Sequence, residues 1–62
     1  MFRVGQRVCI VKIDGTLAYG GYEADDEGTV DAVSDRGNCG VLMDRDGSLI
    51  SVHMGDGLLE PA

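Results

Sequence analysis

A chain of 62 residues that is 44% hydrophobic and 5% aromatic, with no tryptophan, has room for one domain around an aliphatic, methionine-filled core. Such a core supplies about 3–5 kcal/mol, which leaves little margin for a catalytic site built from several strained or buried polar groups. Eleven carboxylates against five Lys and Arg leave a net charge of -6, which repels phosphate backbones and disfavours nucleic acid as a partner.

The first element expected is a strand over Val8-Cys9-Ile10-Val11-Lys12-Ile13, whose β-branched side chains suit a pleated surface better than a helix. Asp14-Gly15 is a turn signal, and Gly20-Gly21 argues against a regular element around those glycines. Residues 14–27 therefore read as a long loop, a feature that in a compact domain marks either function or disorder. A second strand starts at Gly28-Thr29-Val30 and continues through Asp31-Ala32-Val33, with either Ala32 or Val33 keeping the inward alternation. Asp35-Arg36-Gly37-Asn38 reads as a hairpin turn. Cys39, Val41 and Met43 then share one face of a third strand. Asp44-Arg45-Asp46-Gly47 closes a second hairpin, from which Leu49-Ile50-Ser51-Val52-His53-Met54 returns antiparallel. Gly55-Asp56-Gly57 permits a single 3₁₀ turn, and Leu58-Leu59-Glu60 forms a short last strand stopped by Pro61, which lacks an amide hydrogen. Five short strands and no helical periodicity specify an all-β barrel or a pair of orthogonal sheets, one domain over residues 1–62.

Little in the chain supports chemistry. Asp25, Asp26 and Glu27 are consecutive, whereas paired-carboxylate catalysis needs two acids facing each other across a substrate. Asp44-Arg45-Asp46-Gly47-Ser48 resembles the start of a calcium loop, but the glycine falls fourth and the twelfth position is Gly55. His53 is the only histidine and has no nucleophile at a motif spacing. Gly20-Gly21 lacks the Lys-Ser or helix start of a phosphate cradle. Cys9 and Cys39 form no CxxC pair and read as small hydrophobes of a reducing cytoplasm. Arg3, Arg7, Lys12, Arg36 and Arg45 are scattered singly, with no aromatic interleaving. No signal peptide or apolar run of membrane-spanning length is present, so the expectation is a cytoplasmic, non-enzymatic protein without cofactor, metal or membrane contact.

What remains is recognition. Tyr19 and Tyr22 have amphipathic rings suited to contact surfaces, and Glu23, Asp25, Asp26 and Glu27 beside them attract an Arg- or Lys-bearing protein. The competing expectation is that one tyrosine folds the loop back over the end of the barrel. A homo-oligomer formed through the 8–13 strand, apolar on both faces, is a further expectation. The alternative function is an acidic nucleic-acid-associated or nucleic-acid-mimicking regulator.

Gly5-Gln6-Arg7-Val8, Gly28-Thr29-Val30, Val41-Leu42-Met43-Asp44, Asp46-Gly47-Ser48-Leu49 and the closing Leu59-Glu60 together resemble the layout of SH3-like barrels. More narrowly, they are similar to an uncharacterised family of short barrel proteins carried by phages and mobile elements. This chain has Met43 where that family commonly has a tryptophan, and Arg45 is an added residue in the hairpin before Gly47. The resemblance implies a five-stranded SH3-like barrel with a long loop between strands 1 and 2, and it implies no activity.

Overall fold

The computed structural model describes residues 2–62. Five strands succeed one another as β1 (Arg7–Ile10), β2 (Glu27–Val33), β3 (Asn38–Met43), β4 (Leu49–His53) and β5 (Leu59–Pro61). One short helix, α1 (Gly15–Tyr19), lies between β1 and β2, and a 3₁₀ turn, Met54–Asp56, lies between β4 and β5. The strands form one antiparallel sheet in the order β4-β3-β2-β1-β5.

Alternation decides which face is buried. Val8 and Ile10 of β1, Val30 of β2, Cys39, Val41 and Met43 of β3, Val52 of β4 and Leu59 of β5 all point into one core. In-register pairs such as Val30 with Val41 and Cys39 with Val52 place them side by side. Register shifts between Val30 and Ala32, where a bulge exposes Asp31, so Val33 and not Ala32 keeps the inward alternation, half-buried opposite Cys39. Gly28 sits where no side chain fits: a Cβ there would lie 2.7 Å from both the Leu42 carbonyl oxygen and Val41 Cγ1.

The expected closure into a barrel does not occur. No ladder joins β4 to β5 among the described residues, and these two strands are the free edges of an open sheet. After His53 the 3₁₀ turn and Gly57, in the left-handed region at φ 71°, carry the chain across to the far side of β1. There β5 has only three residues, all paired to β1. Pro61 belongs to this strand and does not stop before it, because β1 bonds its neighbours: Ala62 N–H donates to the Arg7 carbonyl and Val11 N–H to the Leu58 carbonyl. The proline's missing donor faces outward, where an edge strand needs none.

The region expected to be structureless also differs. The Asp14-Gly15 pair is a helix start: the Asp14 carboxylate accepts from Leu17 N–H at 2.9 Å, and Gly20 ends the turn by donating to the Thr16 carbonyl at 3.1 Å. β1 stops at Ile10 rather than continuing to residue 13, since Val11 is already 40% exposed and only Ile13 returns to pack on the core. Cys9 and Cys39 are free thiols. They lie on β1 and β3, separated by β2, and point to opposite faces of the sheet, beyond disulfide reach. Burial pushes the Cys39 thiol up from its ordinary value.

Candidate functional site

The segment linking β1 to β2 lies across the open side of the sheet and adds a second layer to its core. Leu17 of α1 is 1% exposed and Tyr22 is 8% exposed, both within the main apolar cluster. Tyr22 N–H donates to the Leu17 carbonyl at 3.1 Å, so the two anchors are also linked through the backbone. Gly20 lies under the tyrosine ring, where a Cβ would approach Tyr22 Cε2 to 2.9 Å. Tyr22 is thus a core residue and leaves the candidate contact surface. Tyr19, at the end of α1, is 95% exposed.

A single cation organises the acids beside them. Arg45, from the loop between β3 and β4, sits over the Tyr22 ring at 5.7 Å from its centroid. Its guanidinium donates to the Gly21 carbonyl and pairs with Glu23 at 3.2 Å and Asp26 at 2.9 Å. Asp26 also accepts from Glu23 N–H at 2.9 Å. At the tip of the ring, the Tyr22 hydroxyl makes a long contact, 3.4 Å, with the Asp46 carboxylate. Asp46 in turn accepts from Ser48 N–H at 3.0 Å, and that backbone bond is the leading reason its carboxyl titrates below the usual range.

Glu27 belongs to a different cluster. It is the first residue of β2 and pairs with Arg7 at 3.2 Å, while Arg7 also donates to Thr29 Oγ1 at 2.9 Å and grips Asp44 with both terminal nitrogens. The hydrogen bond from Arg7 holds the Asp44 carboxyl below its ordinary value, and the same pair raises Arg7. Both clusters are solvent-exposed, and exposed pairs contribute only about 0.2–1 kcal/mol each. Their effect is on geometry: the Arg45 cluster fixes the second half of the connection to the loop between β3 and β4, and the Arg7 cluster ties β1 to the start of β2 and the end of β3.

Of the six residues singled out from the sequence, then, Tyr22 faces the core, Glu23 and Asp26 lie on Arg45, and Glu27 lies on Arg7. Tyr19 and Asp25 make no side-chain hydrogen bond or ion pair among the described residues. Asp25 adopts φ 76° and donates its N–H to the Ile10 carbonyl at 2.7 Å. Sequence reasoning missed Arg45, Arg7 and Leu17. The one available signal was Arg45 itself, a lone cation between Asp44 and Asp46 in a chain rich in acids.

His53 Nδ1 accepts from Gly55 N–H at 3.0 Å, so Nε2 carries the proton and donates to the Arg36 carbonyl at 2.9 Å. Both ring nitrogens are occupied in tying the C-terminal end of β4 to the turn between β2 and β3 and to the 3₁₀ turn that follows. No group of three or more His, Cys, Asp or Glu is placed to hold a metal among the described residues. No helix among them is long and apolar enough to cross a membrane. On the outer face, a shallow groove of about 350 Å³ runs over Gly40 between Ala32 on one side and Leu49 and Ser51 on the other. Comparison with known proteins finds no family model, no curated relative and no solved structure that matches this chain.

Proposed function

We propose that this chain is a non-enzymatic protein-interaction module of SH3-like architecture that offers Tyr19 and the neighbouring acids to a partner bearing Arg or Lys. The observation that carries the reading is a tyrosine 95% exposed on a connection anchored by Leu17, Tyr22 and Arg45. An aromatic ring presented from a braced segment costs little entropy to order on binding. Glu23, whose side chain is 80% exposed despite its pair with Arg45, and the neighbouring Asp25 supply the charge that favours a basic partner.

The nucleic-acid-mimicking alternative is less well supported, because Asp26, Glu27 and Asp44 are already engaged by Arg45 and Arg7. The test is affinity capture from the source cells with wild type, Tyr19→Ala and Tyr22→Phe proteins side by side. A partner held by wild type and Tyr22→Phe, lost with Tyr19→Ala, and released by raised salt is the expected result. Equal capture by Tyr19→Ala removes this surface from consideration.

A further inference from the structure

The two edges of the open sheet are not alike. β5 is three residues long and carries Glu60 and Pro61. Because Val11 bonds Leu58 and Ala62 bonds Arg7 across its inner side, the groups of β5 that face outward are those of Leu59 and Pro61. Pro61 has no N–H, so this edge offers one donor. Shortness, charge and proline are the usual means by which a sheet edge is protected from pairing with another chain.

β4 has none of these. Met43 N–H donates to the Ser48 carbonyl and Met54 N–H to the Gly37 carbonyl, so the pairs that exchange hydrogen bonds with β3 are Val41 with Ile50 and Cys39 with Val52. The N–H and C=O groups of Leu49 and Ser51 and the N–H of His53 therefore point away from the sheet, while the His53 carbonyl, as N-cap of the 3₁₀ turn, accepts from that turn. Of the five strands, β4 and its neighbour β3 alone lack a Lys, Arg, Asp or Glu, in a chain where 26% of residues are charged. Leu49, 62% exposed, and its cross-strand neighbour Leu42, 46% exposed, add an apolar margin beside the edge.

We infer that β4 is a strand-pairing edge whose occupant is β4 of a second copy, aligned antiparallel about a two-fold axis through Ser51. The outward positions 49, 51 and 53 are spaced evenly about that residue. Ser51 meets Ser51 of the second copy, Leu49 meets its His53, and Ile50 meets its Val52 along the core side. The two Ser51 residues exchange two hydrogen bonds, each His53 N–H donates to the opposed Leu49 carbonyl, and no charge faces a like charge, which is the self-complementarity an isologous interface requires. The 8–13 strand cannot serve this purpose: β1 is bonded on both sides, and Val8 and Ile10 are at most 1% exposed.

Charge elsewhere opposes the dimer. Each copy carries -6, so added salt, by shortening the range of that repulsion, strengthens association where an ion-paired interface would weaken. The edge is small by the standard of specific interfaces, and the expected Kd is roughly 10–100 μM. Sedimentation equilibrium on the full chain across that range, at low and high salt, reads the mass against the monomer's 6.5 kDa. Expected is a concentration-dependent dimer that tightens with salt, with amide exchange slowed on dimerisation at Ser51 and His53.

Ser51→Pro removes the central donor at a position where an edge tolerates proline, and Ser51→Lys sets two like charges on the axis. Each is expected to weaken the dimer at least tenfold while the monomer's far-UV spectrum is retained. Should the proline variant fail to fold, the lysine variant carries the test. A wild type that stays monomeric through the range overturns the inference. So does a dimer unaffected by Ser51→Lys, one that protects amides of β5 instead, or a monomer that binds only extended peptides along β4.

Discussion

Tyr19 and Tyr22 lie in the same short connection, and one is 95% exposed while the other is 8% exposed. The difference teaches how a small open sheet completes its core. A single sheet buries one face only if something covers it, and among the described residues no long helix or second sheet does so. The connection supplies Leu17 and Tyr22 as that cover, which obliges the residues between them to turn outward. Buried and exposed side chains therefore alternate within one segment, divided by the direction in which each points.

Removing the inward side should have the largest effect. Leu17→Ala and Tyr22→Ala each delete a buried side chain and are expected to cost about 2–4 kcal/mol, as read by urea denaturation. With a core of this size that approaches the whole stability, so the variants should be largely unfolded at room temperature. Tyr22→Phe separates ring from hydroxyl. Because the contact to Asp46 is 3.4 Å long, its loss is expected to cost under about 1 kcal/mol.

The brace comes next. Arg45→Ala removes the cation over the ring and the pairs to Glu23 and Asp26, an exposed arrangement worth about 1 kcal/mol. Its clearer signature is faster amide exchange at Gly21 to Asp26 with β3 and β4 unchanged. Titration distinguishes the pairs from the packing. Asp44 and Asp46 both have lowered pKa values in the folded chain, so the stability they contribute is present above the ordinary carboxylate range, near pH 4, and is lost as pH falls through their lowered values. The melting temperature should fall with acidification, and Asp44→Asn should flatten that slope while leaving the slope due to Asp46. Tyr19→Ala belongs at the far end of the scale, within about 0.5 kcal/mol of wild type, and a larger loss in a melting curve would place that ring in the core.

The features legible in the sequence were those encoded by period two. Cys39, Val41 and Met43 share the core face as their alternation implies, the structure selects Ile50 and Val52 as the inward face of β4, which the pattern left open, and the Gly- and Asp-rich segments flanking β3 are turns. The 3₁₀ turn begins one residue early, at Met54, because that residue's N–H bonds the Gly37 carbonyl. α1 escaped notice for a physical reason: five residues are too few to show a helical period, and an Asp-Gly pair starts a turn or caps a helix equally well. Openness of the sheet depends on whether two distant edges exchange hydrogen bonds; Pro61 suits β5 to an edge, but no residue type on β4 marks it as the other. Tyr22 and Arg45 became partners only through the fold. Nothing about either residue alone distinguishes a ring beneath a guanidinium from a ring in water.

The pairing of β1 with β5 has a consequence for how this chain reaches its native state. β2, β3 and β4 form a meander joined by short turns, so their contacts close small loops, whereas Val8 meets Pro61 across nearly the whole chain. Loop-closure entropy makes the meander the cheaper nucleus. Substitutions such as Val41→Ala should therefore slow folding, and Leu59→Ala should chiefly hasten unfolding. Until β1 docks, the covering residues Leu17 and Tyr22 have no complete surface to cover, so the segment that carries the exposed tyrosine is among the last to become ordered.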